Sequence, residues 1–162
     1  MEPKVKRTKT AEQATSSLMQ LCARAERSSG DALRLMRNWG LSDADAQRVL
    51  DKLISSRFID DERYAGAFVR DKSRIAGWGA YKIAAALYRK GVSRDVVSRA
   101  LQQLDSQTST KQLKELLERK QRTIKAKSAA EARAKLVRYG VGRGFAISEV
   151  CECVEQMVKD ED

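Results

Sequence analysis

Three short stretches of this sequence resemble one another, and each has a glycine at its fifth position. They are MRNWGLS at 36–42, LYRKGVS at 87–93 and LVRYGVG at 136–142. Their glycines, Gly40, Gly91 and Gly140, are 51 and 49 residues apart. Each follows apolar residues at helical spacing, where a glycine commonly ends a helix in the left-handed conformation. A period near 50 residues with three helices per unit predicts tandem three-helix repeats.

The apolar pattern on both sides of these glycines supports the repeat. Leu50 and Leu101 lie ten residues after the first two glycines, and Val150 and Val154 match them if the third unit holds one extra residue near Gly144-Phe145. We predict an all-α protein of eight or nine helices, arranged as three tandem three-helix repeats in an elongated, curved array of right or left hand. The alternative is one compact helical domain whose helix ends are similar by chance.

The predicted organisation has four parts. Residues 1–9 form a basic N-terminal tail, 10–57 the first repeat, 58–106 the second, and 107–162 the third, which has an acidic end. In the last helix we expect a buried stripe that includes Ile147, Val150 and Cys151. Cys153 lies two positions from Cys151, on the opposite side of a helix, so we expect it to be exposed and the pair not to bind a metal.

Composition excludes several classes of protein. The 162 residues include 32 basic and 22 acidic residues, for a net charge of +10, with no histidine and one proline. Few turn residues argue against a β-sandwich or barrel, and the missing histidine removes the commonest general base and zinc ligand. We expect no enzyme activity, cofactor or metal site, no secretory signal or membrane span, and a cytoplasmic location, which three unpaired cysteines also suit.

The basic residues are concentrated before the last helix, since residues 111–143 hold 11 basic and 3 acidic side chains. Stripes of cations at helical spacing suit phosphates or an acidic partner, although each alone is more often a solvated helix face. We expect Lys111, Lys114, Arg122 and Lys125 to line one face. The candidate contacts to phosphates or an acidic partner are Arg63, Arg70, Arg74, Lys82, Arg89, Lys90, Lys111, Lys114, Arg122, Lys125, Arg138 and Arg143.

Two motifs of the central part receive structural interpretations. Asp60 and Asp61 precede an apolar helical stripe, so we expect them to cap that helix rather than to bind a metal. Gly77-Trp78-Gly79 lacks the strand and helix of a nucleotide loop, and we expect Gly79 to permit a tight turn between helices.

A longer motif carries a family resemblance. The run Arg57-Phe58-Ile59-Asp60-Asp61-Glu62-Arg63-Tyr64-Ala65, then Gly77-x-Gly79, Ile83-x-x-x-Leu87-x-x-Lys90-Gly91-Val92 and Ala100-Leu101, resembles the middle repeat of the RecX family of recombination regulators. The family pattern has Gly-Tyr or Gly-Phe before Leu-Asp-Asp, whereas this sequence has Arg57-Phe58 before Ile59-Asp60-Asp61.

The resemblance implies a function. RecX-like proteins bind the RecA recombinase, chiefly as a filament on single-stranded DNA, lie along its groove and inhibit its ATP hydrolysis, strand exchange and co-protease activity. It thus implies a monomeric negative regulator in recombination, DNA repair and the SOS response, with RecA and, weakly, single-stranded DNA as partners. We assign the motif residues Asp60, Asp61, Tyr64, Gly79, Leu87 and Gly91 to the fold. The alternative is a helix-turn-helix-like protein that acts directly on DNA.

Overall fold

The computed structural model describes residues 8–159, and all regular secondary structure in that range is helical. The prediction of an all-α fold is therefore confirmed. Residues 1–7 of the predicted basic tail and residues 160–162 of the predicted acidic end lie outside the described residues. The nine helices in the described range are α1 Ala11–Arg24, α2 Ser29–Asn38, α3 Asp43–Ser55, α4 Asp61–Arg74, α5 Ala80–Arg89, α6 Arg94–Leu101, α7 Ser106–Gln121, α8 Ala129–Gly142 and α9 Ile147–Lys159.

The described chain divides into two compact units. The first contains the residues up to Ala65 together with Leu87–Val97, and the second contains Gly66–Ala86 together with the residues from Ser98 onward. In the first unit, α1, α2 and α3 bury a core of Ala14, Leu18, Ala32, Met36, Ala46, Val49, Leu50, Leu53 and Ile59. In the second, the core contributed by α7, α8, α9 and the turn before α9 is Leu113, Leu116, Leu117, Leu136, Phe145, Val150, Cys153, Val154 and Met157.

Helices α2, α5 and α8 end in the same way. Each is followed by a glycine with left-handed backbone: Gly40 at φ +82°, Gly91 at +77° and Gly144 at +98°. Each glycine donates its N–H to the carbonyl three residues back, and the next residue donates to the carbonyl five residues back. The second bond satisfies a carbonyl that the helix itself leaves without a donor, as in a Schellman motif.

The prediction that Gly140 ends the third of these helices is wrong. Helix α8 continues through Gly140 to Gly142, and Gly140 is buried against Val150, whose Cγ1 would lie 2.7 Å from an added Cβ. The residue equivalent to Gly40 and Gly91 is Gly144. Counting from it places Val154 at plus ten and Met157 at plus thirteen, both buried, with no extra residue needed.

The structure also corrects the predicted stripe of α9. Cys153 is buried and Cys151 is half-buried, the reverse of the expectation, and Ile147 is 65% exposed. The core-facing residues are Val150, Cys153, Val154 and Met157, which follow the i, i+3, i+4, i+7 spacing of one helix face. Apolar residues fit helical spacing from Ile147 as well as from Val150, so periodicity alone did not show which of the two overlapping stripes faces the core.

In each of these three turns, the carbonyl of the residue before the glycine accepts a hydrogen bond from a residue far away in sequence. These bonds tie each helix end to its neighbour within a unit, and they fix the position of the turn. They run from Lys9 N–H to Trp39 O (3.0 Å), from Ser28 Oγ to Lys90 O (2.6 Å) and from Gly79 N–H to Arg143 O (2.8 Å).

Two glycines make this approach possible. In the first unit, Gly30 lies so close to the turn that a Cβ on Gly91 would be 2.6 Å from the Gly30 Cα. In the second unit, a Cβ on Gly79 would collide with the Gly144 carbonyl. Gly79 is thus needed for a close backbone approach, and not for the tight turn we predicted, because the left-handed residue of that loop is Gly77 at φ +68°.

The two adjacent acids of the motif have different contacts. Asp60 Oδ1 accepts the Arg63 N–H at 3.1 Å, so Asp60 caps α4 as predicted. Asp61 instead accepts the Ser29 N–H at 2.7 Å, and its other carboxylate oxygen accepts the Ser29 hydroxyl. Asp61 therefore caps α2 from the first turn of α4, a contact that sequence spacing did not predict.

Replacement of Gly91 by Ala tests the glycine turn. An L-residue in the left-handed conformation costs about 1–2 kcal/mol, and the close Gly30 backbone adds to this cost. We expect Gly91→Ala to lower the melting temperature by roughly 3–8 °C in a thermal unfolding experiment. Gly142→Ala is the control, since an added Cβ there meets nothing within 4 Å and alanine favours a helix. Equal melting temperatures for the two variants would contradict this account.

Arg57 tests the same kind of turn in the opposite direction, because here a residue other than glycine occupies the left-handed position. It has a left-handed backbone at φ +61°, and Phe58 donates to Leu53 O at 2.9 Å, as in the glycine turns. We expect Arg57→Gly to raise the free energy of unfolding by about 0.5–1 kcal/mol, since relief of strain exceeds the greater entropy of glycine in the unfolded chain. Arg57→Ala keeps the strain and should change it little. Denaturant titration of both variants measures the difference, and a destabilised glycine variant would refute the assignment.

Candidate partner-binding surface

The second unit contains a basic hollow of about 660 Å³. Its walls come from the end of α4, the loop after it, one face of α7 and the end of α8. Four cations and one acid, Glu115, line it. The lining residues are Ser73, Arg74, Ile75, Ala76, Gly77, Gln112, Glu115, Leu116, Arg119, Lys120, Thr123, Tyr139 and Arg143.

A second hollow of about 520 Å³ adjoins the first. The two share the lining residues Lys120, Thr123 and Tyr139, and we call the two hollows together the basic groove. No acidic side chain lines the second hollow, whose residues are Lys120, Thr123, Ile124, Lys125, Lys135, Arg138 and Tyr139. The cations of the basic groove are Arg74, Arg119, Lys120, Lys125, Lys135, Arg138 and Arg143.

Helix amphipathicity places these cations at the surface. In α7, Leu116 and Leu117 are buried in the core, so the following Arg119 points outward and is exposed. In α8, buried Leu136 has the same effect on Arg138. The parts of the groove that α7 and α8 contribute are thus the polar edges of helices whose apolar faces form the core of the second unit.

Tyr139 lines both hollows. Its side chain is half-buried and packs against the core of the second unit. The Lys120 Nζ lies 4.8 Å from the centroid of its ring, a distance that allows a cation–π interaction. The middle of the groove therefore presents an ammonium group beside an aromatic ring.

Lys135 is the groove cation most engaged with its neighbours. Its Nζ donates to Lys125 O at 2.6 Å and lies 3.2 Å from Glu131 Oε1. The pKa of Glu131 is lowered, first because the carboxylate accepts the Lys127 N–H and then because of Lys135. Glu131 therefore stays ionised and offsets part of the positive charge at this edge of the groove.

Arg143 holds the groove wall together. Its Nη2 donates to Ala76 O, which ties the end of α8 to the loop after α4. Its Nε is buried without a hydrogen-bond partner. The side chain is thus largely committed to the fold, although it lines the first hollow.

The structure brings four of the twelve predicted contact residues into the groove: Arg74, Lys125, Arg138 and Arg143. The sequence analysis missed Arg119, Lys120 and Lys135. The basic run at 118–127 was a signal for the first two, because they follow buried leucines at helical spacing. Periodicity does not show which helices are neighbours, however, so it could not bring α7 and α8 together.

Several other predicted contacts already have partners. Within the first unit, Arg63 Nε donates to Glu26 at 2.8 Å, which raises the pKa of Arg63, and Lys90 Nζ lies 3.7 Å from Asp31. Within the second unit, Arg70 Nη1 donates to Gln103 Oε1 at 3.2 Å. Lys82 Nζ lies 4.5 Å from a ring centroid of Trp78.

The remaining candidates are exposed: Arg89, Lys111, Lys114 and Arg122. The prediction that Lys111, Lys114, Arg122 and Lys125 share one helix face is wrong. Helix α7 ends at Gln121, Arg122 is its C-cap and Lys125 lies in the loop beyond. Only Lys111 and Lys114 are neighbours on the helix.

Residues 8–159 contain no group of three or more metal-binding side chains arranged to hold an ion. None of the helices in this range is long and apolar enough to cross a membrane.

Comparison with known proteins shows which protein family this chain belongs to. Two domain models match the chain, "RecX, second three-helix domain" at residues 60–101 and "RecX, third three-helix domain" at residues 109–154. A protein named Regulatory protein RecX from Mycolicibacterium smegmatis is 30% identical over 154 residues, which cover 93% of this chain and 82% of the relative. This chain belongs to the RecX family. Both matched segments contribute residues to the basic groove.

Other RecX proteins differ in length. One from Bacillus cytotoxicus is 27% identical over 127 residues, which cover 78% of this chain and 47% of the relative, so this chain spans about half of it. The crystal structure of RecX from Lactobacillus salivarius matches with a TM-score of 0.80 at 16% identity, covering 90% of this chain and 95% of the other. A second RecX crystal structure has a TM-score of 0.80 at 22% identity, covering 93% and 71%. These likenesses show the RecX fold.

A pair of substitutions separates the structural arginine from the exposed one. Arg143→Gln removes the bond to Ala76 O and should lower the free energy of unfolding by about 1 kcal/mol. Arg138→Gln alters an exposed side chain and should change it by less than about 0.5 kcal/mol. Denaturant unfolding of both variants measures the difference. Equal stabilities would show that the Arg143 contact adds nothing to the fold.

Proposed function

We propose that this chain is a negative regulator of the RecA recombinase. It binds the RecA filament on single-stranded DNA along the filament groove, and it lowers ATP hydrolysis, strand exchange and co-protease activity of RecA. It acts as a cytoplasmic monomer, by binding and not by catalysis, and so modulates recombination and DNA repair. The observation that carries the proposal is membership of the RecX family, with matches to two of its three-helix domains.

Electrostatics supports a polyanionic target. The chain carries a net charge of +10, and a nucleoprotein filament carries the phosphates of its DNA. Opposite charge raises the rate of encounter, and added salt screens the attraction over about 10 Å at 0.1 M. Inhibition should therefore weaken as ionic strength rises.

Among the twelve candidates, we propose that exposed cations contribute more to the contact with RecA than cations that are paired with an acidic side chain. Arg74, Arg89 and Lys114 are exposed, whereas Arg63 and Lys90 have acidic partners within the first unit. Separating a cation from its partner costs free energy, so paired side chains contribute less to binding. We also propose that Asp60, Asp61, Tyr64, Gly79, Leu87 and Gly91 maintain the fold and do not touch the partner.

The test is RecA ATP hydrolysis on single-stranded DNA, titrated with this protein at fixed salt. We expect hydrolysis to fall at substoichiometric amounts, because one bound regulator would affect more than one RecA subunit of a filament. Unchanged hydrolysis from a protein that still retards naked DNA would contradict the proposal and favour the helix-turn-helix-like alternative.

A charge-reversed pair tests the proposed contacts in the same assay. Arg74→Glu with Arg89→Glu should inhibit RecA more weakly than the unaltered chain. The matched control is Arg94→Glu with Arg133→Glu, which changes the net charge equally at two exposed positions outside the candidate set. Equal inhibition by both double variants would show that total charge matters and the proposed contacts do not.

A further inference from the structure

We propose that an apolar hollow of the second unit is a docking site for an extended, acidic protein segment, which places one bulky apolar side chain among aromatic rings. The hollow has a volume of about 290 Å³. Its walls include the start of α5, the end of α6, the first turns of α7 and the turn between α8 and α9. The inference goes beyond the proposed function, because it defines a partner by its chemistry and requires neither RecA nor DNA.

The apolar lining of the hollow is the first argument. Its larger apolar side chains are those of Trp78, Tyr81 and Phe145 and of half-buried Leu101 and Leu104. No lysine or arginine is among its lining residues in the described chain, although the net charge is +10. Such a hollow does not suit phosphates. Aromatic and leucine walls suit an apolar anchor residue of a protein partner.

Backbone hydrogen bonds hold the aromatic walls in place. The Tyr81 N–H donates to Gly144 O at 3.0 Å, and the Phe145 N–H donates to Gly140 O at 3.2 Å. Phe145 is buried, whereas Tyr81 is 69% exposed. A fixed backbone therefore carries a ring that is largely free for contact. A preformed site of this kind costs less ordering entropy on binding than a mobile one.

One edge of α7 supplies hydrogen-bonding groups to the same hollow. Ser106, Ser109 and Gln112 line it, and their spacing of three residues places them along one side of the helix. Hydroxyl and carboxamide groups both donate and accept, as contact with an extended peptide backbone requires. A small apolar molecule would fill the aromatic part and would not use these groups.

The size of the hollow limits what enters it. Its volume of about 290 Å³ lies at the lower end of the range for ligand sites, about 300–1,000 Å³. One bulky side chain and its own backbone fit into such a space, whereas a whole helix does not. The occupant is therefore an extended segment with a single anchor.

Two ammonium groups next to the hollow indicate the charge of the segment. Lys82 Nζ lies 4.5 Å and Lys72 Nζ 4.7 Å from a ring centroid of Trp78, which lines the hollow. Among the described lining residues, Glu149 is the one charged side chain. The neighbouring cations outnumber this carboxylate, so acidic groups on both sides of the anchor are complementary to the surface and basic groups are not.

The first experiment tests the anchor. The probe is the acetylated and amidated peptide Ser-Glu-Glu-Ser-Phe-Ser-Glu-Glu-Ser, titrated into the full chain carrying Trp39→Phe. Because the chain has two tryptophans, this variant leaves Trp78 as the one reporter. We expect a saturable shift of the Trp78 emission to shorter wavelength, and at least about tenfold weaker binding when alanine replaces the phenylalanine of the peptide. No saturable change in emission, or equal affinities of the two peptides, would overturn the inference.

The second experiment fills the hollow. Ser109→Phe places a ring in it from α7 and should weaken binding of the phenylalanine peptide at least about tenfold. The matched control is Thr110→Phe, which adds the same ring at an exposed neighbouring position outside the hollow. Tyr81→Ser changes a largely exposed side chain, so it tests the site even if Ser109→Phe does not fold, and it should weaken binding about three- to tenfold. Melting temperatures establish which variants are folded. Folded hollow variants that bind as well as the control would refute the site.

The third experiment tests the charge of the segment by calorimetry. Lys72→Gln with Lys82→Gln should weaken binding of the acidic peptide about three- to tenfold at low salt, and the loss should shrink as salt screens the attraction. The matched control, Lys111→Gln with Lys114→Gln, removes two exposed lysines outside the hollow. Equal affinities of the two double variants would refute the acidic segment, as would tighter binding of a peptide with lysine in place of each glutamate.

Sedimentation of the unaltered chain tests the other occupant, a second copy of this chain. A dimer that the peptide dissociates would assign the hollow to self-association and overturn the inference, whereas a monomer leaves the hollow open, as the inference requires. RecA hydrolysis has no part in these measurements. A chain that inhibits RecA yet does not bind the peptide therefore refutes this inference and leaves the proposed function intact.

Discussion

The hydrogen bond accepted by the carbonyl before each left-handed glycine is the constraint on which this structure depends. The carbonyls at the end of a helix have no donors within the helix. In the turns after α2, α5 and α8, the residue after the glycine donates to one of these carbonyls, and the carbonyl of the residue before the glycine accepts from a segment far away in sequence. Two of the donors are backbone N–H groups, of Lys9 and Gly79, and the third is the hydroxyl of Ser28. The three turns have the same backbone geometry, so what repeats along the chain is a backbone conformation more than a set of side chains.

The sequence predicted the helical class and the periodic turns because apolar spacing and glycines are local signals. It failed at the third turn because two glycines, Gly140 and Gly144, lie within one helical turn, and only the backbone angle separates them. The sequence around Gly140 is more similar to the first two segments. The left-handed backbone, however, is at Gly144, and the buried residues Val154 and Met157 lie ten and thirteen positions after it.

The candidate surface was less predictable than the fold. Six of the seven cations of the groove lie in the basic stretch 111–143, but a groove requires helices and a loop to meet, and no local pattern encodes that meeting. The side chain of Arg143 is an example. It was predicted as a contact from its charge, whereas in the structure it donates to Ala76 O and supports the groove wall. Partner atoms decide such roles, and they come from residues far away in sequence.

The close approach between glycines has a consequence for how relatives of this chain diverge. Gly30 and Gly91 belong to different predicted repeats, yet a side chain on either would collide with the backbone of the other. The two positions are therefore under one joint steric constraint that involves no partner. If both glycines are invariant among relatives, the reason is the close contact between the two backbones. Residues that distinguish one partner from another should therefore be sought at positions without such a constraint.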